Sequence, residues 1–409
     1  MNEKKKEEKN LGSEVSRRDF IKGAATGALA VAATGVLSAC ATPGAAGAAA
    51  RRQSRIFEPT NLGSLQLKNM MFRAAMLERR HDANGTPTSA LIRMAEEEAA
   101  GGVSLVIVGS TRVLREDIYG SGGSFIARGG FYDASQIPVY RQIVDIIHRN
   151  GAKACLQLSL RSVFDGVPTA ESLRRDVNAF AQSAILVRDA GFDAISLHFA
   201  HRYGIASILS HHANTRTDEF GGPVENRARF AFEIVEAVSR AVGRNFPLTA
   251  KIDADDHNMG VGARDVHGVA IPSGSLADTQ FIVQGLADRG VDAVEISGAQ
   301  MIPLGRDIIP REDHNFFAKD ARAVAQGTNV PLMLTGGVRS VARMEESLGY
   351  NPRIMGFGMA RTLLAEPDLP NKWQQQNINQ EPKCIACSWC LDNLFTAPRM
   401  LCVLDQNRV

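Results

Sequence analysis

Eight short apolar runs rich in β-branched residues, alternating with amphipathic helical stretches over about 300 residues, predict an α/β chain closed as a (β/α)8 TIM barrel. The runs lie at 70–76, 105–109, 154–158, 194–198, 247–252, 293–297, 331–335 and 354–358. Helical patterns between them include 90–100, 137–150, 173–190, 224–242 and 276–289. Several helices run into a glycine before the next strand, as in Asn150-Gly151, Ala190-Gly191 and Arg289-Gly290, where a left-handed cap is expected. No strand is followed by the G-x-G-x-x-G turn of a doubly wound sheet.

The 409 residues are 44% hydrophobic and 22% charged, an ordinary globular balance. Net charge is +2, and the first 39 residues hold seven Lys/Arg and five Asp/Glu, leaving 39 of each sign in the remainder. An electrically neutral body has no footprint for nucleic acid.

The chain begins with a Lys/Glu-rich run over residues 1–10, too polar to build a core. Ser16-Arg17-Arg18-Asp19-Phe20-Ile21-Lys22 then reads as a twin-arginine export signal. Residues 23–50 are uncharged but mostly Ala, Gly and Thr, which suits a mild, cleaved signal core better than a membrane span. Leu37-Ser38-Ala39-Cys40 resembles a lipobox, with Cys40 the lipidated residue; cleavage further on or an uncleaved anchor are the alternatives. The expected organisation is a signal over 1–39, a flexible tether over 40–54, a barrel over 55–378 and a Cys-rich extension over 379–409. This describes a periplasmic or cell-envelope lipoprotein that touches the membrane only through Cys40. The twin-arginine route carries folded proteins, so a cofactor inserted before export is expected.

Chemistry in a barrel belongs at the strand C-termini, where Gln157, His198, Lys251 and Gly336-Gly337 fall. After the fourth strand comes His198-Phe199-Ala200-His201-Arg202-Tyr203. Two imidazoles can donate to a carbonyl oxygen and a phenol can give a proton. The same residues could instead be satisfied core groups, or could bind metal in a barrel hydrolase using His198, His201 and His211. The polar run from Asn214 through Asp218-Glu219-Phe220-Gly221-Gly222 to Glu225-Asn226-Arg227 reads as a network locking a loop. Thr335-Gly336-Gly337 and Gly358-Met359-Ala360-Arg361 end the last two strands and match the phosphate site formed by the final βα loops of barrels.

Of six cysteines, Cys155 lies within the third strand as a core residue and Cys40 in the lipobox. The others read Cys384-x2-Cys387-x2-Cys390-x11-Cys402, a spacing that suits a [4Fe–4S] cluster, with structural zinc and disulfides as alternatives.

These residues resemble the old yellow enzyme family of flavin-dependent ene-reductases, in the branch containing bacterial 2,4-dienoyl-CoA reductase and trimethylamine dehydrogenase. The matching pieces are Leu67-Lys68-Asn69, Gly102-Val103-Ser104-Leu105-Val106-Ile107, Gln157-Leu158, the stretch from Ala190-Gly191-Phe192-Asp193 to Glu225-Asn226-Arg227, Asp255-Asp256, and Arg361-Thr362-Leu363-Leu364-Ala365-Glu366-Pro367-Asp368-Leu369. The resemblance implies FMN, with Ala75, Met76 and Ser110 bordering the isoalloxazine ring and Gln157 at its pyrimidine edge. It places Lys251 near N1 and the ribityl chain, and Gly336, Gly337, Ala360 and Arg361 around the phosphate. His198 and His201 would bind the carbonyl of an activated alkene or enone, and Tyr203 would protonate its α-carbon after hydride leaves N5 for the β-carbon. Cys384, Cys387, Cys390 and Cys402, with the residues around them, resemble the cluster loop of the same branch.

Departures accompany the match. The usual Gln-Leu-x-His-x-Gly-Arg is here Gln157-Leu158-Ser159-Leu160-Arg161-Ser162-Val163, Leu77 stands where relatives often carry Thr or Cys, and Arg202 replaces a Gly. No nucleotide-binding domain is expected after the barrel. Export away from NAD(P)H then implies a redox partner feeding electrons through the cluster. A flavin-bearing relay lipoprotein without turnover is the remaining alternative.

Overall fold

The computed structural model describes residues 54–117, 129–160, 167–201, 203–211, 213–253, 276–298, 315–392 and 399–405. The export signal, Cys40 and the tether to residue 53 lie outside them, as do Arg161, Ser162, Val163, Arg202 and Asp255-Asp256.

Two three-residue strands come first, β1 (Thr60–Leu62) and β2 (Leu65–Leu67), an antiparallel hairpin whose turn needs Gly63 at φ 55°. Nine strands follow: β3 (Met71–Arg73), β4 (Leu105–Arg112), the short β5 (Gly129–Gly130), β6 (Lys153–Ser159), β7 (Ala194–Phe199), β8 (Leu248–Asp253), β9 (Ala293–Ser297), β10 (Leu332–Thr335) and β11 (Ile354–Met359). Apart from β5, these pair in parallel in chain order, and β3 bonds to both β11 and β4. That double pairing closes an eight-stranded ring with helices between its strands, the TIM barrel expected from the periodicity.

The helices bury one face on the ring. In Ala170–Ala190, Leu173, Val177, Phe180, Ala184 and Val187 recur at three- and four-residue spacing and are buried. Burial of each large side chain contributes about 1.5–3 kcal/mol. Thr169 caps this helix by accepting the Ser172 N–H, and Gly191 ends it at φ 95°, the left-handed cap anticipated there. Inside the ring, Phe72, Leu105, Ile107, Cys155, Ala194, Ala293 and Met333 form a separate apolar cluster joined by Leu62 and Leu67 of the hairpin. Cys155 is thus a core residue, as expected.

The Asn214–Arg227 stretch is scaffold. Asn214 donates to the Ile208 and Phe220 carbonyls, Arg216 pairs with Asp218, and Arg227 donates to Leu209 and pairs with Asp278 at 2.5 Å. A side chain on Gly221 would collide with the Arg216 backbone, so the loop admits only glycine there.

His81 packs against Gly129 with both ring nitrogens buried and without a partner. Burial pushes its pKa down to about 4. The folded state therefore holds it neutral, while the unfolded chain protonates it near pH 6.5. Its contribution is fully present above pH 6.5 and fades as pH falls towards 4, by about 2 kcal/mol at pH 5. In His81→Gln the loss of stability between pH 7.5 and pH 5, read by urea denaturation, is expected to shrink by that amount. An unchanged difference would show that His81 does not stay neutral.

Candidate active site

The site lies at the C-terminal ends of the barrel strands. His198 is the fifth residue of β7 and is opposite Lys251 of β8, which is in turn opposite Glu295 of β9. Parallel register thus sets an imidazole, a cation and an anion on one rung, all buried. After β7 the chain turns sharply, with His201 left-handed at φ 62° and its N–H held by Asp253 at 2.8 Å. Tyr203 then precedes the short helix Gly204–Leu209. The turn folds both rings back onto His198, with ring centres 5.0 Å (His201) and 4.9 Å (Tyr203) away and edges towards faces.

Burial, reinforced by Lys251, pushes His201 down to about 3. Burial, then His201, Lys251 and Arg112, holds His198 well below the ordinary imidazole range. Both rings are therefore neutral near pH 7. The Nε2 of His201 is 3.0 Å from Ser297 Oγ, which fixes the ring, whereas Nδ1 of His198 is buried without a partner. A neutral imidazole can donate a hydrogen bond without being an acid strong enough to ionise here.

Gln157 of β6 points its Nε2 at Ser196 Oγ, 3.2 Å away, which orients the amide. Ser110 is buried within the C-terminal half of β4, and Ala75 and Met76 follow β3 at the same end, partly exposed. Lys251 is not a lone cation: Glu295 stands 3.0 Å from its Nζ, and the Thr335 hydroxyl donates to the same carboxylate oxygen at 2.5 Å. Gly336 and Gly337 take φ 130° and 68° and pack against Phe317 and Phe316 so closely that any side chain would strike those rings. Only glycine leaves the backbone exposed in that conformation. Ala360 and Arg361 lie at the end of the neighbouring β11.

The cysteine loop packs directly on this region. Cys384, Cys387, Cys390 and Cys402 line one cavity with Arg361 and Leu364, and none is joined by a disulfide. Arg361 donates to Ser388 at 3.3 Å and Arg339 to the Cys384 carbonyl at 2.9 Å. Met400 bonds to the backbone of Glu78, two residues beyond Met76, and Leu77 packs with Cys390 and Cys402. Burial pushes the Cys390 thiol up to about 11, with Arg361 opposing and the other three cysteines adding to the rise. Among the described residues no group of three or more His, Cys, Asp or Glu is placed to hold a metal ion.

The structure thus gathers His198, His201, Tyr203, Gln157 and Lys251 at one end of the barrel. It does not add His211, which is exposed on the following loop, and among the described residues the trio of the alternative metal-hydrolase reading is not assembled. Sequence reasoning missed four residues here. Arg112 is fully buried, reaches Ser159 Oγ at 2.9 Å and lies 5.0 Å from the centre of the Tyr203 ring. Asp253 and Ser297, opposite each other at the ends of β8 and β9, hold His201, and Glu295 pairs with Lys251. A charged residue inside the apolar run Ala293-Val294-Glu295-Ile296-Ser297 was the available signal.

Comparison with known proteins places this geometry. The model of the NADH:flavin oxidoreductase / NADH oxidase family matches residues 55–163 and 160–380. A metal reductase of Desulforamulus reducens is 26% identical over 377 residues, covering 86% of this chain and 53% of that protein. The chain thus spans about half the length of that relative. A 4,4'-dithiodibutanoate disulfide reductase of Rhodococcus erythropolis is 28% identical over 403 residues, covering 84% of this chain and 94% of the relative. The solved old yellow enzyme homologue of Zymomonas mobilis shares the fold at a TM-score of 0.63 and 18% identity, over 80% of this chain and 94% of that one. The residues present fit FMN: Gly336 and Gly337 admit no side chain at the end of β10, and the neighbouring β11 runs into the cation Arg361.

Proposed function

We propose, for a chain that belongs to the NADH:flavin oxidoreductase / NADH oxidase family, an exported flavin enzyme that saturates carbonyl-conjugated alkenes. The observation that carries this reading is the close packing of two neutral imidazoles and one phenol above the barrel. Bound FMN would supply the hydride to the β-carbon of the alkene. His198 and His201 would donate to the carbonyl oxygen, where negative charge develops, each donor contributing about 3 kcal/mol in the transition state. Tyr203 would hand its proton to the α-carbon. Gln157 and Lys251 would hold the pyrimidine edge of the cofactor, and Gly336, Gly337, Ala360 and Arg361 its phosphate.

The twin-arginine signal at Ser16–Lys22 supports work outside the cytoplasm, with Cys40 as a lipid anchor. Electrons would then come from a redox partner through a [4Fe–4S] cluster on Cys384, Cys387, Cys390 and Cys402. One observation supports this: the four thiols line one cavity. The same loop packs against Met76, so a cluster held there would lie near a flavin bordered by that residue. The spacing of the four cysteines supports reading the chain as part of the 2,4-dienoyl-CoA reductase branch of the family.

The test uses anaerobically purified holoprotein mixed with NADH, with NADPH or with reduced viologen. Fast flavin reduction by viologen and slow reduction by either nucleotide is expected, and the reverse pattern would sink the electron route. In Cys390→Ala, protein-bound iron and viologen-driven flavin reduction are expected to fall together by more than tenfold, with FMN retained. Unchanged iron would remove the cluster from the scheme.

A further inference from the structure

We propose that Glu295 is a positioning residue of the flavin site that sets the reduction potential of the cofactor by cancelling the charge of Lys251. This rests on FMN lying over Lys251, as in the reading above. Glu295 and Lys251 face each other across β8 and β9 in register, and both are buried. One carboxylate oxygen takes both the Lys251 ammonium, 3.0 Å away, and the Thr335 hydroxyl. The other, Oε2, is buried with no partner. A lone lysine beneath the ring would favour the reduced flavin, which carries negative charge, over the neutral oxidised form. With a carboxylate 3.0 Å from the ammonium, the pair presents a dipole instead of a net charge, and that preference is largely removed. Thr335 directs its hydroxyl at Glu295, which fixes the orientation of the carboxylate beside Lys251.

Glu295→Gln keeps the shape and an acceptor for Thr335 while removing the charge. Lys251 is then left as an uncompensated buried cation whose available counter-charge is reduced FMN. Redox titration against a reference dye is expected to show the reduced form favoured by at least tenfold relative to wild type, about 30 mV more positive for a two-electron couple. Lys251→Met is expected to move the potential the other way. The double variant Lys251→Met/Glu295→Gln is expected to return to within threefold of wild type. A Glu295→Gln potential within threefold of wild type, or a shift to more negative values, overturns the proposal. Should Glu295→Gln not retain FMN, the double variant decides: a wild-type-like potential supports charge cancellation, and a displacement beyond tenfold overturns it. Failure of the underlying reading looks different, because wild-type protein reconstituted with FMN would then show no flavin absorbance.

Discussion

Tyr203→Phe is expected to slow reduction of an enone by about 10²- to 10⁴-fold, the usual worth of a positioned general acid, while leaving flavin reduction by an artificial donor unchanged. The variant removes one hydroxyl and keeps the ring, which packs against His198 with centres 4.9 Å apart and against the Arg112 guanidinium at 5.0 Å. Folding of the turn depends on backbone bonds from Tyr203, to Ala200 and from Ser207, and these survive the change. Among the described residues around Tyr203, no side chain can take over proton delivery. His201 is held at about 3 and His198 well below its ordinary range, chiefly by burial, so neither carries a spare proton near pH 7. Arg112 does not release its proton in proteins. The effect should therefore be confined to the oxidative half-reaction, observed by mixing reduced protein with substrate under anaerobic conditions. Reoxidation as fast as in wild type would take Tyr203 out of the proton path and favour a relay function for the bound flavin.

The contrast between what the residues announced and what they concealed has a physical origin. Each barrel strand is an apolar run bounded by turn residues, a local pattern, and all eight were visible. The first was expected over 70–76, but β3 ends at Arg73, whose pairing with Met359 is closed by the bond from the Ala74 N–H to the Met359 carbonyl. The β1–β2 hairpin was not anticipated, since three-residue strands are too short to show a period. Within the site, His198, His201 and Tyr203 fall in six consecutive residues and were legible together. Glu295 pairs with Lys251, Ser297 with His201 and Arg112 with Tyr203 only once strand register is set, and register is a property of the closed ring. The cysteines were legible because their spacing is itself the signal.

Arg73→Met is expected to cost about 3–5 kcal/mol, the range for removing one partner from a buried ion pair. The Arg73 guanidinium is buried, 2.7 Å from Glu78 and 3.1 Å from Glu98, and also donates to the Ile107 carbonyl at 2.6 Å. One cation thus serves two carboxylates. Burial raises the pKa of both, with Arg73 pulling each back down. Without Arg73, both acids can remain inside only by taking up protons. A raised folded-state pKa means that the native state binds more protons than the unfolded chain, so stability rises as pH falls towards the unfolded value near 4.5. The penalty in Arg73→Met is therefore expected to be largest near pH 8 and to shrink by pH 5.5, as followed by denaturant unfolding. Arg73→Lys keeps the charge but cannot fork between two carboxylates, so an intermediate loss is expected. Glu78 also accepts the Gly109 N–H at 3.3 Å and fixes Met400 through its carbonyl at 3.2 Å. Loss of Arg73 should consequently loosen the segment bearing Ala75 and Met76 together with the cysteine loop, and FMN affinity should fall alongside stability. Stability within about 1 kcal/mol of wild type at pH 8 would mean that the triad does not hold these segments in place.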